Sequence, residues 1–341
     1  MNAVSQKVEA MREAMREAMR PVRTLLLAAL LFASSQAFGQ VFPAKPVRVI
    51  VPWPPGAPLD VMVRALASEL TPRWGQPVIV DNRAGAASII GADAVAKSPA
   101  DGYTWMATPI NPTLVGNRFL YKSLPYDPDR SFAPISLFAQ SSQVMVVHAS
   151  VPAATVKDLV ALARQQPGKL NYGSYGAGSQ PHLLFELFKQ RERLDIAHVP
   201  YKGIAPLIAA AAAGEVQVTA GSTGSVGELV KAGKLKALAV AGPERARELP
   251  GVPTALEAGY PYLQASARFG LFAPAGTPPD LIRQIHRDVV AVLSAPGFAE
   301  RHIHALGYQR VGSSPDELAA AIREETSLVG EMARAANVQP E

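Results

Sequence analysis

Two glycine-rich stretches carry the residues best suited to hold a small molecule: Pro52-Trp53-Pro54-Pro55-Gly56-Ala57-Pro58-Leu59-Asp60 and Tyr172-Gly173-Ser174-Tyr175-Gly176-Ala177-Gly178-Ser179. Each lies where an apolar extended run gives way to a helical stripe. Backbone N–H groups therefore collect at the positive end of a helix, where an anion can be held without a charged side chain. A second chemistry, nucleophilic catalysis, would need His182, which opens a helix beside the second loop, to work with Ser174 or Ser179. Other enzyme signals are thin. No Ser has Gly at both i−2 and i+2, and Gly173 to Gly178 lacks the following Gly of a dinucleotide fingerprint. His302 and His304 are two apart in a helical pattern and so do not share a face for a metal. The absence of cysteine excludes thiol nucleophiles, disulfides and thiolate metal sites. No cofactor and no metal are expected.

The elements that must position these loops follow from periodicity. Val47 to Val51 reads as a first strand, and Asp60 is placed to cap a helix through Leu70 whose stripe is Leu59, Met62, Val63, Leu66 and Leu70. Val78 to Asp81 and Tyr103 to Ala107 read as further strands, with a helix over Ile89 to Lys97 between them. After the apolar strand Gln143 to His148 the alternation starts afresh. Helices are expected over Thr155 to Gln166, Ser179 to Gln190, Ile204 to Ala213 and Ser225 to Ala232. The strands between and after them are Leu170 to Tyr172, Ile196 to Val199, Val216 to Ala220 and Lys236 to Val240. Arg268 to Phe272 is a later strand, and three helical patterns at about 279–294, 297–305 and 315–334 return to clad the first domain. Strand and helix alternation predicts an α/β protein with largely parallel sheets. One glycine loop falls in each half, and ligands of such sheets bind beyond the carboxyl ends of the strands, so the two loops make a two-sided clamp.

Residues 1–39 read as a secretory signal peptide. Arg20 and Arg23 precede the apolar run Leu25 to Ala33, and Ala37-Phe38-Gly39 supplies small residues before a cleavage expected after Gly39. Upstream, Met11-Arg12-Glu13-Ala14 recurs as Met15-Arg16-Glu17-Ala18 and Met19-Arg20 begins a third copy, which suggests that translation starts at Met19. Five of the 33 basic and three of the 28 acidic residues lie in this leader, so the remainder carries about +3, too weak and too dispersed for nucleic-acid binding. With 48% hydrophobic residues over 341 positions, the chain has the material for about two folded domains, and no stretch after residue 35 reaches the ~18 apolar residues of a membrane span.

Several ordered blocks carry a family resemblance: Phe42-Pro43-Ala44-Lys45-Pro46-Val47-Arg48, the Trp53-Pro54-Pro55-Gly56 loop, Gly75-Gln76-Pro77-Val78-Ile79-Val80-Asp81-Asn82-Arg83, Asp101-Gly102-Tyr103-Thr104, His198-Val199-Pro200-Tyr201-Lys202-Gly203 and Leu249-Pro250-Gly251-Val252-Pro253-Thr254. They resemble the periplasmic substrate-binding proteins of tripartite tricarboxylate transporters, the Bug type, and the likeness runs from residue 42 to about 330.

The resemblance implies a two-domain periplasmic-binding-protein fold, a type II-like Venus flytrap with two chain crossovers. Domain 1 is expected over 40–142 plus 268–341 and domain 2 over 143–267. It implies no catalysis, but capture of a small carboxylated or related polar metabolite by domain closure, in a monomer that hands its ligand to a two-component membrane permease or a sensor kinase. The two loops correspond to the family's carboxylate pincers: Trp53, Pro55, Gly56, Ala57 and Asp60 on one side, Ser174, Tyr175, Gly176, Gly178 and Ser179 on the other. The remaining wall is expected from Thr108, Pro109 and Asn111, from Ser222 and Thr223, and from Arg268. Departures from the pattern matter. Where the family has a second Gly and hydroxyl residues, this chain has Ala57-Pro58-Leu59, which loses donors, and Tyr175 and Ala177 make the second loop less polar. A ring or an apolar arm suits such a cleft better than a bare dicarboxylate. Arg268 is then expected to meet the ligand's charge. The hydrolase or isomerase reading and a cell-envelope scaffold remain as alternatives, separable by turnover and by ligand-induced thermal shift.

Overall fold

Val47–Val51 (β1) is a run of β-branched residues interrupted only by Arg48, and every side chain except that of Arg48 is buried. A strand covered on both faces belongs inside a sheet. In the computed structural model, which describes residues 42–340 apart from 177, 178 and 243 together with Met11, Met15 and Met19, β1 lies between β2 (Val78–Asn82) and β3 (Thr104–Pro109), parallel to both. The loop after β1 enters α1 (Pro58–Trp74), whose buried Leu59, Met62, Val63, Leu66 and Leu70 are the expected stripe. Pro58 starts this helix and Gly75, at φ +62°, ends it. Between β2 and β3 lies α2 (Ile89–Ala96), and after β3 come two single turns, α3 (Ile110–Thr113) and α4 (Asn117–Leu120).

The strand that organises the molecule is β4 (Phe132–His148), far longer than the Gln143 to His148 expected. Its first part, to Ser142, runs antiparallel to β9 (Ser266–Pro274), which in turn pairs antiparallel with β3. From Gln143 onward it pairs antiparallel with β7 (Val218–Ser222) and β8 (Leu235–Ala241). Beyond β7 the ladder continues in parallel through β5 (Asn171–Ser174) to β6 (Ala197–Pro200). The backbone ladder is thus unbroken from β2 to β6. The two halves are mixed, not largely parallel, because both β4 and β9 run against their neighbours.

Around the second half pack α5 (Val156–Gln165), α6 (Gln180–Glu192), α7 (Ile204–Ala213) and α8 (Thr223–Lys231). Alternate residues of β4 serve two cores: Met145 and Val147 pack with Leu184 and Phe185 in the larger, Val144 and Val146 with Leu207 and Val226 in the smaller. Side chains two apart share a face, so this segment is buried on both sides, each residue contributing about 1.5–3 kcal/mol.

The returning chain forms α9 (Pro279–Leu293), α10 (Phe298–His302), the two-residue β10 (Gln309–Arg310) and α11 (Pro315–Ala335). The last helix does more than clad the first domain. It packs on β4 and also on α6, to which it is tied by the Arg191–Glu331 ion pair. Residues 45–341 form one compact unit and 1–44 another. Of the expected leader, only Met11, Met15 and Met19 are described, and they are helical and exposed. Its cleavage point lies outside the described residues. Among the described residues no helix is long and apolar enough to cross a membrane.

Candidate functional site

The first loop is held by Asp60. The sequence suggests a helix cap there, but the N-cap is Ala57, with Pro58 as the first helical residue and Asp60 inside the first turn. Its buried carboxylate accepts hydrogen bonds from Gly56 N–H (2.9 Å), Arg64 Nε (3.0 Å) and Asn82 Nδ2 (2.8 Å), and the Asn82 amide also donates to Trp53 O (3.0 Å). Burial alone would raise its pKa, yet the donors from Arg64, Gly56 and Asn82 together hold it below the usual carboxylate range. Asp60 is therefore the anchor of the loop. The N–H of Gly56 is spent on that anchor, and Gly56 itself takes φ +81°, which glycine tolerates.

The second loop is tied by hydroxyls. Ser174 is fully buried, its Oγ 2.7 Å from His198 Nε2 and donating to Gly176 O at 3.1 Å. Ser179 Oγ donates to the same carbonyl at 2.6 Å. Gly176 sits at φ +126° with open space beside it. His198 stacks on Tyr172 (4.8 Å between centroids) and on His182 (4.5 Å). Burial, then the neighbouring His182, pushes the His198 imidazole down to about 4, so it is neutral at pH 7. The Ser–His pair in this loop is thus Ser174 with His198, not with His182. Having no exposed surface, Ser174 acts as a loop clamp and not as a nucleophile.

Between the two loops lies a cavity of about 350 Å³. The first loop lends it Trp53, Ala57, Pro58 and Leu59, the second Tyr175, Ser179 and Gln180. Pro109, Asn111 and Pro112 complete the lining together with Ala267, Phe269 and Tyr308, and Pro109 pairs directly with Phe269 across the β3–β9 ladder. Of the residues expected from sequence, Trp53, Ala57, Pro109, Asn111, Tyr175 and Ser179 line this space. Pro55, Gly56, Asp60, Ser174 and Gly176 shape the loops without lining it, and Gly178 lies outside the described residues. Thr108 is buried elsewhere, its hydroxyl 2.6 Å from Thr113 Oγ1. Ser222 Oγ donates to Ser225 Oγ (3.2 Å) and Thr223 Oγ1 to Gly307 O (3.3 Å), so neither faces the cavity.

Arg268, expected to meet the ligand's charge, lies beside a neighbouring space. Successive strand residues point to opposite faces, so Ala267 and Phe269 take the cavity while Arg268 turns away from it. Its guanidinium lines a second space of about 320 Å³, within 3.7 Å of Glu325 Oε2 and 3.9 Å of Glu324 Oε2 on α11. Burial pushes the Glu325 carboxyl up to about 7 despite that cation, and its Oε2 has no hydrogen bond. Asn111 and Gln180 border both spaces. The lining residues missed by sequence reasoning include Gln180, legible as the residue after the loop's last Ser, and Phe269, legible from strand phase. Tyr308 has no local sequence signal. It arrives from the short segment before β10, and its ring packs edge-on to Phe269 at 5.1 Å.

A family model described as tripartite tricarboxylate transporter family receptor matches residues 62–338. Protein BugT of Bordetella pertussis is 37% identical over 284 residues, 83% of this chain and 87% of its own. Two solved structures share the fold over their whole length. One, of Rpa4515 from R. palustris with adipate, is 33% identical with TM-score 0.71 and covers 88% of this chain and 100% of its own. The other, of MatC from Rhodopseudomonas palustris with bound malate, is 28% identical with TM-score 0.66 and covers 86% and 100%. These are solute-binding receptors and not enzymes. The two-domain binding-protein fold, the pair of glycine loops facing one cavity and the matched family model lead to one conclusion: this chain belongs to the tripartite tricarboxylate transporter family receptors of the Bug type.

Proposed function

We propose that this receptor captures a small carboxylate in the periplasm, in the cavity between Trp53–Leu59 and Tyr175–Gln180, by closing two lobes on it. The observation that carries this reading is the meeting of the two uncapped helix starts, at Pro58 and Gln180, on a single cavity. Adipate in one relative and malate in another support a carboxylate as the ligand class. The lobes are residues 40–142 with 268–341, and 143–267. This division is supported by the change of β4 partners between Ser142, paired with β9, and Gln143, paired with β7 and β8. Residues 1–39 act as the export leader, cleaved after Gly39. The closed form is what a two-component permease, or a sensor kinase, reads, because only it joins both lobes into one surface.

Native mass spectrometry of protein freshly purified from periplasm tests this reading. The expected result is a mature chain beginning at or near Gln40 with one organic acid retained per chain. A chain that retains none, and binds none from a pool of small acids in calorimetry, would refute it.

A further inference from the structure

The cavity is rich in rings. Trp53, Tyr175, Phe269 and Tyr308 place four aromatic side chains around it, and among the described residues no lysine, arginine, histidine or carboxylate lines it. Its volume, about 350 Å³, is at the small end of ligand-cavity sizes. The polar groups are few. The Gln180 side chain is already committed, its Nε2 donating to Ser266 O at 2.8 Å and its Oε1 accepting from Gln143 Nε2 at 3.3 Å. Trp53 lines the cavity, and its buried Nε1 has no hydrogen-bond partner among the described residues. Burial raises the phenols of both Tyr175 and Tyr308, so these rings stay neutral at pH 7. The Arg268 guanidinium lies against Glu325 at the neighbouring space, on the other side of β9.

Ionic ligands pay for entry in proportion to their charge. Pro58 and Pro181 carry no N–H, so one carboxylate can be met by the remaining first-turn amides of those two helices and an indole N–H, but a second or third would be buried against rings with no counter-ion. A planar apolar body, by contrast, gains area and edge-to-face contacts from such a wall. Resting on the receptor reading above, we propose that this chain selects an aromatic monocarboxylate over di- and tricarboxylates, its ring against Tyr175, Phe269 and Tyr308 and its carboxylate toward the helix starts at Pro58 and Gln180 beside Trp53 Nε1.

Calorimetric titration of the full secreted chain with benzoate, 3-phenylpropanoate, adipate, malate and citrate tests this. The expected order puts at least one aromatic monoacid tenfold or more tighter than any of the other three acids. Trp53→Phe, which keeps a ring and removes the indole donor, should weaken that acid at least fivefold, and Phe269→Leu should weaken the aromatic acids more than adipate. If adipate, malate or citrate binds as tightly as the aromatic acids or more so, the selectivity is refuted while the receptor reading stands. If Trp53→Phe and Phe269→Leu both leave the aromatic affinity unchanged, the assigned orientation is wrong. If none of the five binds, the inference falls together with the carboxylate-receptor reading.

Discussion

Arg268 and Phe269 are adjacent on β9 and serve opposite sides of it: the Phe269 ring lines the cavity shared with Trp53 and Tyr175, while the Arg268 guanidinium reaches Glu325 on the C-terminal helix at 3.7 Å. One peptide unit thus separates the ring-lined cavity from the Arg268–Glu325 pair. Among the described residues no fixed charge lines the cavity, and the Arg268 guanidinium meets two glutamates of α11.

Arg268→Ala should therefore change ligand affinity by no more than about 0.5 kcal/mol, as for a residue outside the site. Above about pH 7, where Glu325 ionises, it should instead lower unfolding free energy by about 1–3 kcal/mol, because the carboxylate loses its nearby cation. Calorimetry and urea unfolding of one preparation measure both.

Glu325 makes stability depend on pH. Its carboxyl is raised from 4.5 to about 7 in the folded protein, so the protonated form is the one the fold prefers. That contribution is complete below about pH 4.5 and is lost as pH rises through about 7. Glu325→Gln should match the native protein near pH 4.5 and exceed it above pH 7.5, by roughly 2–3 kcal/mol. Thermal unfolding across pH 4.5 to 8.5 would show the two curves diverging upward in pH, and parallel curves would contradict the assignment.

Removing the anchor of the first loop should cost both fold and function. Asp60→Ala leaves Gly56 N–H, Arg64 and Asn82 without their common acceptor. A loss of about 1–3 kcal/mol in stability is expected, with binding weakened at least tenfold as Trp53 and Ala57 lose their placement. Because this carboxylate is held below its usual range, its share of stability is present at neutral pH and is lost as pH falls through that lowered value.

Gly176→Val separates conformation from crowding. A Cβ at this position meets nothing within 4 Å, so the effect comes from φ +126°, which a β-branched residue resists. The loop must rearrange, breaking the hydrogen bonds from Ser174 and Ser179 to Gly176 O. Binding should fall at least tenfold while far-UV circular dichroism stays that of the native chain.

Much of this was legible in the residues. The stripe of α1, the limits of Ile204–Ala213 and the two strand-to-helix glycine loops follow from periodicity and backbone chemistry alone. The stretch Phe132–Ser142 was not, because Pro134 and the polar run Gln140-Ser141-Ser142 mask its strand character, and the register shifts twice along it. Asp60 reads as a cap because its type and position fit one. Which backbone N–H it accepts depends on the turn at Gly56, which sequence does not specify. Arg268 attracts attention by its charge, although strand phase assigns the cavity to Ala267 and Phe269. Tyr308 comes from a segment forty residues further along the chain, and only tertiary packing brings it to Phe269.

A crystal structure of the chain with its retained acid bound tests the central claim most directly. The account expects electron density for one acid between Trp53 and Tyr175, its carboxylate near the helix starts at Pro58 and Gln180. Density beside Arg268 and Glu325 instead, with the ring-lined cavity holding only water, would contradict it.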